Sequence, residues 1–196
     1  LVLSVEKERQ AHKTLELRSF FRHCKGKKSR NDYYEYLKNP SEEKRDQLFS
    51  AHPEISLKAK SEALCLELGK DNPIIHEKIK EKIGNTKDWV LIGGPPCQAY
   101  SLVGRARLKG KKLTPLTIEQ SGLYLHYLEV IARHSPPLFI MENVKGLLSA
   151  EDKDGNIFKK IIDDFKDPEK FLPSDLKNKK HKGYKIYSLI ENEESN

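Results

Sequence analysis

Short apolar runs separated by stretches of helical spacing constrain the fold of this sequence more than any other feature. The chain opens on the strand-like run Leu1-Val2-Leu3-Ser4-Val5-Glu6 and passes into Lys7 to Phe21, where Ala11, Thr14, Leu15 and the run Leu17 to Phe21 predict a helix. Ala63 to Leu68 predicts a short strand, Asn72 to Ile83 a helix with Ile74, Ile75, Ile79 and Ile83 at helical spacing, and Asp88 to Ile92 a further strand. Another helix is expected from about Glu119 to His134, with Leu123, Tyr127, Leu128 and Ile131 on one face, and Pro136-Pro137 ends it. Leu138-Phe139-Ile140-Met141 then reads as a buried strand that stops at Glu142-Asn143. Strands alternating with helices predict an α/β, doubly wound, mostly parallel sheet, with right-handed crossovers and ligands at the carboxyl ends of the strands. Glu6, Cys97 and Glu142 all fall at such ends.

From about residue 24 to 56 the chain is rich in Lys and Tyr: Lys25-Gly26-Lys27-Lys28, then Asp32-Tyr33-Tyr34-Glu35-Tyr36, with a helix-like stretch from Glu42 to Ala51. This segment reads as an insertion outside the sheet. A Gly/Arg/Lys-rich loop, Gly104 to Lys112, follows Cys97. The tail predicts a polar helix or loop around Ile157 to Lys182 and a half-exposed strand from Tyr184 to Ile190. An open α/β sheet rarely begins with its strand at the first residue, so an earlier strand and turn are expected to precede Leu1.

At 196 residues a single domain is the default, and 37% hydrophobic against 33% charged residues suffices for a core under a heavily charged surface. Lys and Arg outnumber Asp and Glu by 36 to 29, and the resulting +7 is compatible with a polyanionic partner. Cys24, Cys65 and Cys97 are odd in number and form no C-x-x-C pair, which argues for a reduced, intracellular protein rather than a disulfide scaffold. No apolar stretch reaches the roughly 18 residues of a membrane span, the N-terminus lacks a signal-peptide layout, and the scattered histidines predict no metal site.

Pro95-Pro96-Cys97-Gln98 with Ser101, followed by Glu142-Asn143-Val144 and Lys145-Gly146-Leu147-Leu148, resembles two signature motifs of the cytosine-5 DNA methyltransferases. Between them Ser121-Gly122-Leu123-Tyr124 is similar to the short motif before that family's crossover helix, and Ser4-Val5-Glu6 to its ribose-binding segment. The resemblance implies a sheet of the S-adenosylmethionine-dependent methyltransferase, Rossmann-like type, incomplete at both ends. Residues 1–196 would be a partial catalytic domain. In the family a Gly-rich cofactor turn precedes the ribose-binding acid, and an arginine motif, a target-recognition region and a closing helix follow the segment where this chain ends. Arg105-Ala106-Arg107 precedes the helix, so its position argues against equating it with that arginine motif.

The implied reaction is methyl transfer from S-adenosylmethionine to carbon 5 of cytosine in double-stranded DNA. Cys97 would be the nucleophile that adds to carbon 6 and breaks the ring's aromaticity, and Glu142 the acid at ring nitrogen 3. Cofactor contacts are implied for Glu6, on the ribose hydroxyls, and for Pro95 and Leu123, with Asp71 or the backbone near Leu68-Gly69 toward adenine. Gln98, Ser101, Asn143, Arg105 and Arg107 are the expected substrate-binding residues. The target base must be flipped out of the stack. A monomeric, cytoplasmic protein, nucleoid-associated if bacterial, follows. A cytosine-5 RNA methyltransferase would use the same two residues, and a catalytically idle homologue would serve as a binding subunit; both alternatives stay open on sequence alone.

Overall fold

A computed structural model describes residues 1–94, 123–143, 147–148, 151–152, 155–172 and 183–189. The chain divides into two compact units, residues 1–82 and 83–196.

In the first unit β1 (Ser4–Val5) leads into α1 (Arg9–His23). Glu8, rather than Lys7, sets the start of that helix, because its carboxylate accepts the backbone N–H groups of Gln10 and Ala11. Three helices follow: α2 (Lys27–Lys38), α3 (Glu42–Ala51, capped by Ser41) and α4 (Pro53–Glu62, with Pro at its first position). The expected insertion is therefore wholly helical, and its last helix runs directly into β2 (Ala63–Leu64). β1 and β2 pair in parallel, Ser4 with Ala63 and Val5 with Leu64. The strand predicted to reach Leu68 stops at Leu64, because the chain then turns into α5 (Asn72–Ile83) through a loop built by side chains. Gly69 has φ +96°, its N–H donates to Asn72 Oδ1 at 2.7 Å, and the Glu67 N–H donates to Asp71 Oδ2 at 2.8 Å.

The core of this unit is Phe20, Cys24, Leu48, Phe49 and Ala59, with the Phe20 and Phe49 rings stacked at 4.7 Å. Two polar knots tie the helices around it. Arg45 pairs with buried Glu16 and lies 4.2 Å above the Phe49 ring. Glu62, at the end of α4, accepts from Ser19 Oγ (2.5 Å), His23 Nε2 (2.8 Å) and Arg22 Nη2 (3.1 Å), all on α1.

The second unit holds β3 (Val90–Gly93), α6 (Leu123–His134), β4 (Leu138–Met141), the short antiparallel pair β5 (Glu151–Asp152) and β6 (Gly155–Asn156), and α7 (Ile157–Lys166) with a 3-10 turn at Pro168–Phe171. β3 and β4 are parallel over four residues, Val90 opposite Leu138 through Gly93 opposite Met141. The pleat separates two faces. Leu91, Phe139 and Met141 pack on the core of Tyr127, Leu128, Ile131, Leu147, Ile161 and Phe165, whereas Val90, Ile92 and Leu138 on the opposite face are exposed. Tyr127, Leu128 and Ile131 form the buried stripe expected of α6.

Each sheet among the described residues has only two strands, so the parallel α/β character is observed while a doubly wound sheet is not. The half-exposed strand expected from Tyr184 is reduced to a single bridge at Tyr187. Its start is held by other bonds: the Tyr184 N–H donates to Lys166 O at the end of α7, and the Tyr184 hydroxyl to Pro136 O at 2.7 Å. Among the described residues no helix is long and apolar enough to cross a membrane, and no His/Cys/Asp/Glu group could hold a metal ion.

Candidate active site

The carboxyl ends of the parallel strands carry the groups of interest. At the end of β1, Glu6 continues the pairing, its N–H donating to Leu64 O at 3.1 Å. Its carboxylate is part-buried and anchored, Oε1 accepting the Glu8 N–H at 2.8 Å, and among the described residues its second oxygen has no partner. The chain thus fixes a carboxylate at a strand exit. After β2, Lys7 and Glu67 pair at 2.8 Å and tie the two exit loops together, and the Lys7 ammonium lowers the Glu67 carboxyl below its ordinary range. Asp71 is a builder of this second loop: it exchanges backbone and side-chain bonds with Glu67, and its carbonyl accepts the Ile75 N–H at the start of α5.

The ends of β3 and β4 are locked to each other. The Glu142 N–H donates to Gly93 O at 3.0 Å, which extends the parallel ladder one residue past the strands. A Cβ added at Gly94 would lie 2.8 Å from Glu142 O, so only glycine permits this approach. One at Gly93 would lie 2.5 Å from Tyr127 Cε2. The Tyr127 ring fills that space from α6, and its hydroxyl donates to Ile140 O at 3.1 Å, two residues before Glu142. Burial of this hydroxyl raises its pKa well above the ordinary tyrosine value. Tyr127 thereby braces both strands where they reach their carboxyl ends.

The Glu142 side chain is exposed, and Asn143 beside it is part-buried. Pro95, Cys97, Gln98, Ser101, Arg105 and Arg107, and the side chain of Leu123, lie outside the described residues. The other two cysteines differ from each other. Cys24 is buried in the helical core with its thiol pushed up by desolvation, and Cys65 is exposed with Sγ 3.9 Å from Lys7 O. Sequence patterns alone missed the Tyr127 brace. The signal that could have found it is the Gly93-Gly94 pair at a strand end, which marks close approach of another group.

Comparison with known proteins gives these strand ends a context. The sequence model of the family described as C-5 cytosine-specific DNA methylase matches residues 67–169, more than half of the chain. The type II methyltransferase M.Bpa9945I of Bacillus paralicheniformis is 32% identical over 183 residues, covering 82% of this chain and 39% of that protein. The DNA (cytosine-5-)-methyltransferase M.ApeKI of Aeropyrum pernix is 38% identical over 76 residues, 39% of this chain and 15% of that protein. The type II methyltransferase M.DdeI of Desulfomicrobium norvegicum is 36% identical over 72 residues, 37% of this chain and 15% of that protein. The chain therefore spans about two fifths, or less, of the length of these relatives. No solved structure matches. The matched span contains both Pro95-Pro96-Cys97-Gln98 and Glu142-Asn143-Val144, and the chain belongs to the C-5 cytosine-specific DNA methylase family.

Proposed function

We propose that the complete protein methylates carbon 5 of cytosine in DNA, with Cys97 as nucleophile and Glu142 as the group that meets ring nitrogen 3. The observation that carries this reading is the lock between the ends of β3 and β4. Gly93 O holds the Glu142 N–H, and Cys97 follows Gly93 by four residues in the sequence, so the chain toward each motif starts from the same end of the strand pair. Further support comes from the family match over this span and from relatives named as cytosine-5 or type II DNA methyltransferases.

Glu6 fits the cofactor implied by the family: an anchored carboxylate at a strand exit suits a ribose hydroxyl. S-adenosylmethionine, when bound, supplies an electrophilic methyl group on a sulfonium. Pro95, Leu123 and the Asp71 loop are the proposed remaining contacts. The Cys97 thiolate adds to carbon 6 of the flipped base, which makes carbon 5 an enamine carbon able to accept the methyl. Glu142, buried under the docked base, hydrogen-bonds nitrogen 3 and stabilises the charge that addition places on the ring. Loss of the carbon 5 proton and expulsion of the thiolate restore base and enzyme. Asn143, Gln98, Ser101, Arg105 and Arg107 are proposed to hold the substrate. The exposed face of β3 and β4 supports a larger doubly wound sheet in the complete protein, because parallel sheets are covered on both faces.

The test is trapping on duplex DNA whose cytosines carry fluorine at carbon 5, where elimination stalls for want of a proton to remove. The complete protein should form an adduct that survives denaturation, Cys97→Ser should form none, and Cys24→Ser and Cys65→Ser should trap normally. An adduct that persists in Cys97→Ser and maps elsewhere overturns the mechanism. Trapping on fluorinated RNA alone would replace DNA by RNA as substrate.

A further inference from the structure

The helical insertion carries a surface that the reaction does not use. Where α1 passes into α2, Lys25, Lys27, Lys28 and Arg30 are all exposed, and no acidic residue occurs from 24 to 31. Among the described residues Lys25, Lys27 and Lys28 have no ion-pair partner, and the Arg30 Nε donates to Cys24 O at 3.0 Å. The acids on these two helices are committed elsewhere: Glu16 to Arg45, Asp32 to His52 at 2.9 Å and Glu35 to Lys38 at 2.6 Å. Residues 1–82 hold 18 Lys and Arg against 14 Asp and Glu, so an excess of 4 equals the charge of this one segment.

Aromatic contacts join α1 to α2 next to these cations. Phe21 on α1 meets Tyr33 at 4.6 Å and Tyr34 at 5.9 Å on α2, and the two tyrosine rings are 5.6 Å apart. Tyr34 remains 51% exposed and follows Arg30 by one helical turn on α2. Exposed Arg18 lies one turn before Phe21 on α1. Exposed cations with a half-exposed tyrosine on the same helix match a row of phosphates, for which Lys, Arg and Tyr are ordinary donors. The N-terminus of α2, whose Gly26 cap offers no side-chain acceptor, adds positive potential in the same place.

We propose that this face of α1 and α2 is a second DNA contact, which binds the phosphate backbone of the duplex without reading its sequence. Rising away from Glu6, the 15 residues of α1 span about 22 Å, so within this unit the patch lies well away from the end of β1. The proposal rests on the DNA reading above.

The experiment measures binding of the complete protein to a duplex of unrelated sequence as a function of salt. Replacing Lys25, Lys27, Lys28 and Arg30 by Gln should make the slope of log affinity against log salt shallower by about 3 to 4, since each phosphate contact contributes about 0.9. Lys27→Gln/Lys28→Gln, which spares the Arg30 bond to Cys24 O, should show about half that change, and Lys27→Arg/Lys28→Arg should keep the slope. The trapping rate on saturating fluorinated duplex should match wild type in every variant, because these residues do not touch the reacting base. An unchanged slope in both Gln variants, or tighter binding to duplex RNA than to DNA, would overturn the proposal. Loss of trapping in the wild type would instead strike the methyltransferase reading, and the slope would still report on the patch.

Discussion

Gly94 and Tyr127 show how single residues set the spacing of the proposed site. A methyl group at position 94 would meet the Glu142 carbonyl at 2.8 Å, and neither atom is the end of a flexible side chain. Gly94→Ala should therefore push the ends of β3 and β4 apart, with a stability loss of about 1 to 3 kcal/mol by overpacking and a larger fractional loss of trapping rate. Thermal melting and trapping kinetics on the same preparation check both parts. Tyr127→Phe is milder. It keeps the ring against Gly93 and removes only the bond to Ile140 O, which should cost about 1 kcal/mol in denaturant unfolding. Neither role is visible in a hydrophobic pattern, where Tyr127 is simply one member of a buried helix stripe.

Among the elements, α1 and α4 are joined by a part-buried carboxylate rather than by apolar contact alone. Burial by itself would push the Glu62 carboxyl up, yet hydrogen bonds from Ser19, His23 and Arg22 outweigh it and hold the group below the ordinary carboxylate range. A lowered folded-state value contributes stability above the unfolded value of roughly 4.3, and this contribution is lost as pH falls through the folded value. Glu62→Gln should accordingly destabilise the protein near neutral pH by about 1.5 to 3 kcal/mol, the range for hydrogen bonds to a charged group. The gap between variant and wild type should close as pH drops below about 4. Urea unfolding across that pH range measures it, and a constant gap would remove Glu62 from the joint.

On the scale of the whole molecule, the two units each contribute a parallel strand pair with a helical crossover, which is the repeat unit of an α/β sheet. Ile92 is 69% exposed on the face of β3 turned away from the core. If a second layer covers that face in the complete protein, Ile92→Asp should lower its stability by more than about 2 kcal/mol; on a solvent face it should change stability by less than about 0.5. Thermal unfolding of the complete protein separates the two outcomes.

The strands β1 to β4, the helices α1, α5 and α6, the buried stripe of α6 and the residues that follow each strand were legible in the sequence, because they depend on local periodicity and on short motifs that do not need distant partners, whereas α2, α4 and the β5–β6 pair were not. Glu6 and Glu142 could be placed at strand ends on that ground alone. Tertiary structure decided the rest. β2 stops at Leu64 because Asp71 and Asn72 take the N–H groups of Glu67 and Gly69, and among the described residues 183–189 only a bridge at Tyr187 forms, Tyr184 being held by Lys166 and Pro136. The closeness of Gly94 to Glu142 and the bond of Tyr127 to Ile140 join residues 48 and 13 positions apart. Such contacts follow from how the elements pack and leave no periodic trace in the chain.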